Sequence, residues 1–165
     1  MSALTELSKL VLGPLEGRAD ADWYKAPPAK WTSAQIVEHL AIGLTWSAEK
    51  FEQRRAHDPM VRRPRTFTEK LASLLILGVH WYPQGFKAPE GSRPGDGVTR
   101  QQAEAHFRTG LAKWEELERL LLPARRDDLF VKHPRLGDLT LEEWMRFHMI
   151  HSRHHARQIR ERIGA

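Results

Sequence analysis

The stretch "RFHMIHSRHHARQI" (Arg146–Ile159) gathers His148, His151, His154 and His155 into about two helical turns. A helix advances about 100° per residue, so relative to Trp144 the rings of His148, His151 and His155 fall at about 40°, 340° and 20°. Leu141 and Ile159 extend that face to about 60°, whereas His154 lies at about 280°, beside Phe147. Ser152, Arg153, Ala156 and Arg160 occupy the opposite side. The stripe Leu141–Trp144–His148–His151–His155–Ile159 therefore reads as a core-facing surface with three imidazoles at its centre. A helix with such a face must bury it against other helices.

A buried imidazole needs partners for both nitrogens, and three side by side multiply that demand. A divalent metal meets it, taking one nitrogen from each ring and leaving the other to surrounding groups. His151 and His155 stand four apart, the spacing at which two rings converge on one ion. A third ligand is expected from a facing helix. His39 is the best placed, on the Ile36–Ile42–Gly43–Trp46 face of "WTSAQIVEHLAIGLTWSAEKFEQRR", where Gly43 leaves room for close approach.

The remaining pattern is helical. Leu4, Leu7 and Val11 make one stripe; Phe107, Leu111, Trp114, Leu117 and Leu121 make another. "TFTEKLASLLILGVHW" reads as a shorter, largely buried helix. Thr32 or Ser33, Thr99 and Thr140 are the expected helix starts, and Glu142 and Glu143 suit the first turn of the last helix. A long Pro/Gly-rich loop spans Tyr82–Gly97, a kind of segment that is often functional. No strand pair is expected. These features predict an all-α four-helix bundle with a short extra helix, filling residues 1–165 as one domain.

Composition narrows the chemistry. The chain has 165 residues and no cysteine, which excludes disulfides, zinc–thiolate sites and a cysteine nucleophile. No apolar run reaches the roughly 18–20 residues of a membrane span, and "MSALTELSKL" lacks a signal-peptide pattern, so a cytoplasmic location without a membrane partner is expected. The net charge is +5, with arginines clustered between Arg54 and Arg65. A nucleic-acid surface would need Arg54, Arg55, Arg62, Arg63 and Arg65 in one exposed stripe; a solvated surface is the expected reading.

"WTSAQIVEHLA" resembles the W-S-x6-H-L segment of the DinB/YfiT-like superfamily of bacterial metal-binding helical bundles. "HPRLGDLTLEEWMRFHMIHSRHHARQI" resembles the end of that pattern, G-x-L-T/S-x3-W followed by H-x2-H-H-x2-Q-I/F. The resemblance implies a four-helix bundle holding one divalent metal, zinc, nickel, manganese or iron, on His39, His151 and His155. His154 and Gln158 match recurrent positions. His148 shares the site face and is the candidate for a supporting role behind the ligands.

Three neutral nitrogen ligands leave a coordination position open, the layout of a catalytic site. The glutamate that follows the first histidine in His-Glu-x-x-His proteases is replaced by Ser152, and Glu38 points about 100° away from His39, so proteolysis is not expected. Relatives in the superfamily include transferases and isomerases that use a small-molecule thiol, and they often pair as homodimers. The resemblance therefore implies a metal-dependent transferase or hydrolase acting on a small-molecule substrate, with a thiol cosubstrate supplied from outside. Two other classes stay open: a non-catalytic metal-binding or stress-response module, and a basic nucleic-acid-binding bundle.

Overall fold

A computed structural model of the chain describes residues 3–82 and 88–164. Four helices carry the bundle: α1 (Ala3–Leu12), α3 (Ser33–Arg54), α5 (Arg100–Arg125) and α6 (Leu141–Ile163). Two short ones, α2 (Asp20–Trp23) and α4 (Phe67–Ser73), lie between them. The architecture is all-α, as the periodicity predicts. α3 packs chiefly on α5, and α1 on α6, with α3 also meeting α6.

Local chemistry sets the helix starts. Thr32, Thr66, Thr99 and Thr140 each accept from the backbone three residues on, while Gln35, Glu69, Gln102 and Glu143 reach back. α6 stops at Gly164, whose φ of 67° is left-handed and whose N–H returns to the Arg160 carbonyl.

The core is continuous. Leu7, Val11, Ile36, Phe51, Phe107, Trp114 and Ile159 are fully buried. α3 and α5 come together at Gly110, where an added Cβ would stand 3.0 Å from Leu44 Cβ. Four residues later, Trp114 Nε1 donates to the Leu44 carbonyl at 3.0 Å. Its indole therefore crosses the helix pair without leaving a buried donor unpaired.

Two expectations need correction. A small antiparallel hairpin, β1 (Val131–His133) with β2 (Gly137–Leu139), occupies what reads as a plain connection. Three-residue strands are too short to display a period of two. The α4 region is also less buried than its apolar sequence suggests: Phe67 is 80% exposed and Leu74 61%. It continues as a π-helical turn, Leu74–Gly78, closed by Val79 N–H to the Leu74 carbonyl at 2.9 Å. One side of this segment lines a cavity, through Leu71, Leu75 and Ile76, and the other faces outward.

Four of the arginines between 54 and 65 bond the hairpin or α6, whereas Arg55 is exposed and pairs with Glu52. Arg62 grips Glu143 with two hydrogen bonds, at 3.0 and 2.8 Å. Arg63 pairs with Asp138, whose side chain is 2% exposed. Arg65 Nε donates to the Leu136 carbonyl at 2.8 Å, and Arg54 Nη1 to the Phe130 carbonyl. These side chains strap the hairpin down and do not form the free stripe that nucleic-acid binding requires.

Candidate metal centre

His39 on α3 meets His151 and His155 on α6, all three buried. The Nε2 atom of His151 lies 3.3 Å from that of His39 and 3.1 Å from that of His155. All three offered nitrogens fall within 4.8 Å of one another. Nitrogens bound tetrahedrally at about 2.0–2.1 Å from one ion stand about 3.3–3.4 Å apart, so the spacing suits a shared cation.

Their partners decide which nitrogen carries hydrogen. His39 Nδ1 lies 2.7 Å from the Ser92 carbonyl, which can only accept, so Nδ1 is the protonated atom. His155 Nδ1 donates to Gln158 Oε1 at 2.8 Å, while Gln158 Nε2 donates to His154 Nε2 at 3.3 Å. The Nε2 atoms of His39 and His155 are therefore bare, and both point at His151. Burial pushes the His39 and His155 imidazoles down, His155 to about 3, and takes His151 well below its ordinary value. All three are neutral near pH 7, the state a metal ligand requires. Without a cation, a proton on His151 Nε2 could satisfy only one of these two bare nitrogens and would leave the other unpaired. This donor set fits a divalent ion.

Ring contacts hold the geometry. His151 stacks between Phe147 at 5.3 Å and Tyr82 at 5.1 Å. Trp31 leans on His39 at 5.0 Å. Arg162, on the last turn of α6, donates to the carbonyls of Trp31 and Gln158. It ties the approach to α3 to the segment that carries Gln158.

The triad forms part of the wall of a cavity of about 1070 Å³. Its other walls include Ile42, Trp46, Leu75, Ile76 and Trp144. Gly43, with nothing within 4 Å of an added Cβ, keeps the α3 side open. Among the described residues, Glu69 is the one carboxylate on this wall, and it is engaged in the cap of α4.

The other histidines divide clearly. His148 lines the cavity but bonds Ser47 Oγ through Nε2 at 2.9 Å. The atoms that support the ligand rings come instead from Ser92 and Gln158. His133 lines the cavity and accepts two backbone N–H groups of its own turn. His106 bridges Glu38 and Thr45 on the α3–α5 face, so Glu38 is committed away from His39. His57 and His80 are exposed. Sequence reasoning missed the role of Ser92. Its one signal was membership of the Tyr82–Gly97 loop, of which residues 83–87 lie outside the described residues.

Fold and site together define a helical bundle whose α3–α6 contact carries three convergent histidines. A family model of the DinB superfamily matches residues 3–159, and the chain belongs to that superfamily. Neither the curated proteins nor the solved structures gave a match.

Proposed function

We propose that the chain is a metal-dependent enzyme in which His39, His151 and His155 hold one divalent ion. The site would activate a small-molecule thiol, or a water, for transfer to an electrophilic substrate in the adjoining cavity. The observation that carries this reading is the convergence of three neutral Nε2 atoms on the wall of a roomy, largely apolar hollow. A divalent ion there supplies Lewis acidity and makes a thiol or water at an open position far more acidic.

The chain's own residues do the rest. Ser92 and Gln158 fix the ligand tautomers and ring orientations. Phe147, Tyr82 and Trp31 hold the rings by contact. Trp46, Leu75, Ile76 and Trp144 offer an apolar bed for the substrate body. With Glu69 engaged in a helix cap, a thiol or water held at the ion would release its proton to solvent.

The non-catalytic module would need a closed coordination sphere. His148 is turned to Ser47, and the hollow beside the triad is large, which favours an enzyme. The transfer to thiol rests on the family resemblance alone.

Elemental analysis of protein purified without chelators is the first test, with about one divalent ion per chain expected. Loss of epoxides and activated aryl halides is then followed with and without glutathione, mycothiol or bacillithiol. Conversion only with thiol supports transfer; conversion by water alone makes it a hydrolase. A bound metal with no conversion returns the protein to the binding-module class, and absence of metal overturns the reading.

A further inference from the structure

His133 and His148 line the same cavity as the triad, and the proposed function uses neither. Both are buried, and both flank the same pair of rings. His133 packs 5.1 Å from Trp144 and 4.4 Å from Phe147; His148 packs 5.5 Å and 5.7 Å from them.

Their protein partners fix opposite tautomers. His133 Nδ1 accepts the N–H groups of Arg135 at 3.1 Å and Leu136 at 3.2 Å. A nitrogen that accepts carries no hydrogen, so the neutral ring keeps its proton on Nε2. Ser47 Oγ sits 2.8 Å from the Gly43 carbonyl and 3.1 Å from that of Leu44, so its own hydrogen goes to α3. The contact at 2.9 Å to His148 is then made by Nε2–H of the ring donating to Oγ. That leaves Nδ1 of His148 bare. Among the described residues, neither the His133 donor nor the His148 acceptor has a protein partner, and neither is a fully enclosed orphan atom. Burial holds both imidazoles down to about 3, so both are neutral at pH 7.

We infer that His133 Nε2–H and His148 Nδ1 form a donor–acceptor pair that selects substrates carrying an uncharged group able both to accept and to donate, an amide or a hydroxyl, on an aromatic or apolar body. This deepens the proposed function and rests on it for the word substrate, although the pair itself needs no metal. Trp144, Phe147, Leu75 and Ile76 receive the body. The donor and the acceptor fix its orientation. A carboxylate would bring its charge against the bare His148 lone pair. A ligand lacking the donor would leave that lone pair desolvated and unpaired, which is where such sites gain discrimination.

The test uses wild-type protein in chelator-treated and zinc-loaded forms. Binding of benzamide, N,N-dimethylbenzamide, benzoate and ethylbenzene is followed by ligand-observed NMR. Benzamide is expected to bind at least about tenfold more tightly than each of the others, in both forms. In His148→Leu the advantage of benzamide over its dimethyl analogue should vanish, while affinity for the dimethyl analogue and metal content stay unchanged. Should that variant not fold, Ser47→Ala, which frees His148 to change tautomer, is expected to shrink the same ratio. Equal binding of benzamide and its dimethyl analogue to wild type overturns the inference. So does benzoate binding as well as benzamide, since the Arg135 charge on the cavity wall would then be the reader. A benzamide preference in protein that binds no metal would keep this pair and discard the metal reading, so the two failures are distinct.

Discussion

Five buried histidines of this protein share one cavity wall, yet its two ends set them differently. At the triad, a backbone carbonyl and a glutamine oxygen take the Nδ1–H groups, so bare Nε2 atoms converge. At the other end, a serine takes an Nε2–H and a hairpin turn donates to Nδ1, so one ring offers a donor and the next an acceptor. Burial and residue type are the same. What differs is the atom one bond further out, and that atom decides between a cation site and a site for a neutral polar group.

The largest expected effect breaks the triad alone. His151→Ala or His155→Ala should reduce bound divalent metal from about one ion per chain to background. Helical circular dichroism should stay near wild type, because the core helices remain. Metal content unchanged in either variant would mean that the rings meet only to pack.

How much of this could be read from the chain follows from the range of each interaction. The α6 stripe is a repeat within one helix, and Leu141, Trp144, His148, His151, His155 and Ile159 are all buried, but Ser152 and Ala156 on the other side are buried too, α6 packing on α1 as well as α3. The helix starts are equally local, which is why Thr32, Thr99 and Thr140 are visible. His39 came from a facing-helix argument joined to a family resemblance, and its partner Ser92 is 53 positions away in an irregular loop. Nothing in the sequence links such a pair. "LASLLILGV" is apolar on every side, so it gives no sign that one side borders a hollow and the other solvent. The Arg62–Glu143 pair, spanning 81 positions, was illegible for the same reason of distance.

Acid affects both ends and gives the next largest effect. Burial, the leading cause at every one of these rings, lowers all five imidazoles, with His133, His148 and His155 near 3 against an ordinary value of 6.5. A group whose folded value is depressed binds its proton first in the unfolded chain, so unfolding is favoured as pH falls. Stability of the metal-free protein should be flat above about pH 7 and decline from about 6.5 toward 3. The slope is at most about 1.4 kcal/mol per pH unit for each histidine. Denaturant midpoints across that range measure it. A flat profile down to pH 4 would show that the folded rings accept protons freely and are not buried as described.

Gln158→Leu sharpens the comparison by removing one outer atom while keeping all three ligands. Loss of the Oε1 acceptor frees the His155 tautomer, and metal affinity should fall about 10–100-fold. Competition against a chromophoric chelator reads this directly. The donor–acceptor pair near Trp144 should not respond, so the benzamide preference should persist. Affinity unchanged in Gln158→Leu would make the glutamine a spectator.

The converse substitution acts on the other end. His133 is oriented by its hairpin, and the hairpin is strapped through Asp138, which accepts from the Arg63 backbone N–H at 3.0 Å and from its guanidinium. Arg63→Ala removes the guanidinium and leaves the buried carboxylate with one backbone donor. The Arg63 side chain is 60% exposed, so solvent screening limits the cost to about 1 kcal/mol. Thermal midpoint should drop by a few degrees for a chain of this size. Metal content should hold at the wild-type value, because α3 and α6 carry the triad without help from β1 or β2. The benzamide preference should weaken, since a looser turn no longer fixes His133 Nδ1 as an acceptor. If Arg63→Ala instead lowered metal content and left ligand preference intact, the two ends would be coupled through α6, and the division of the cavity wall into separately oriented halves would be wrong.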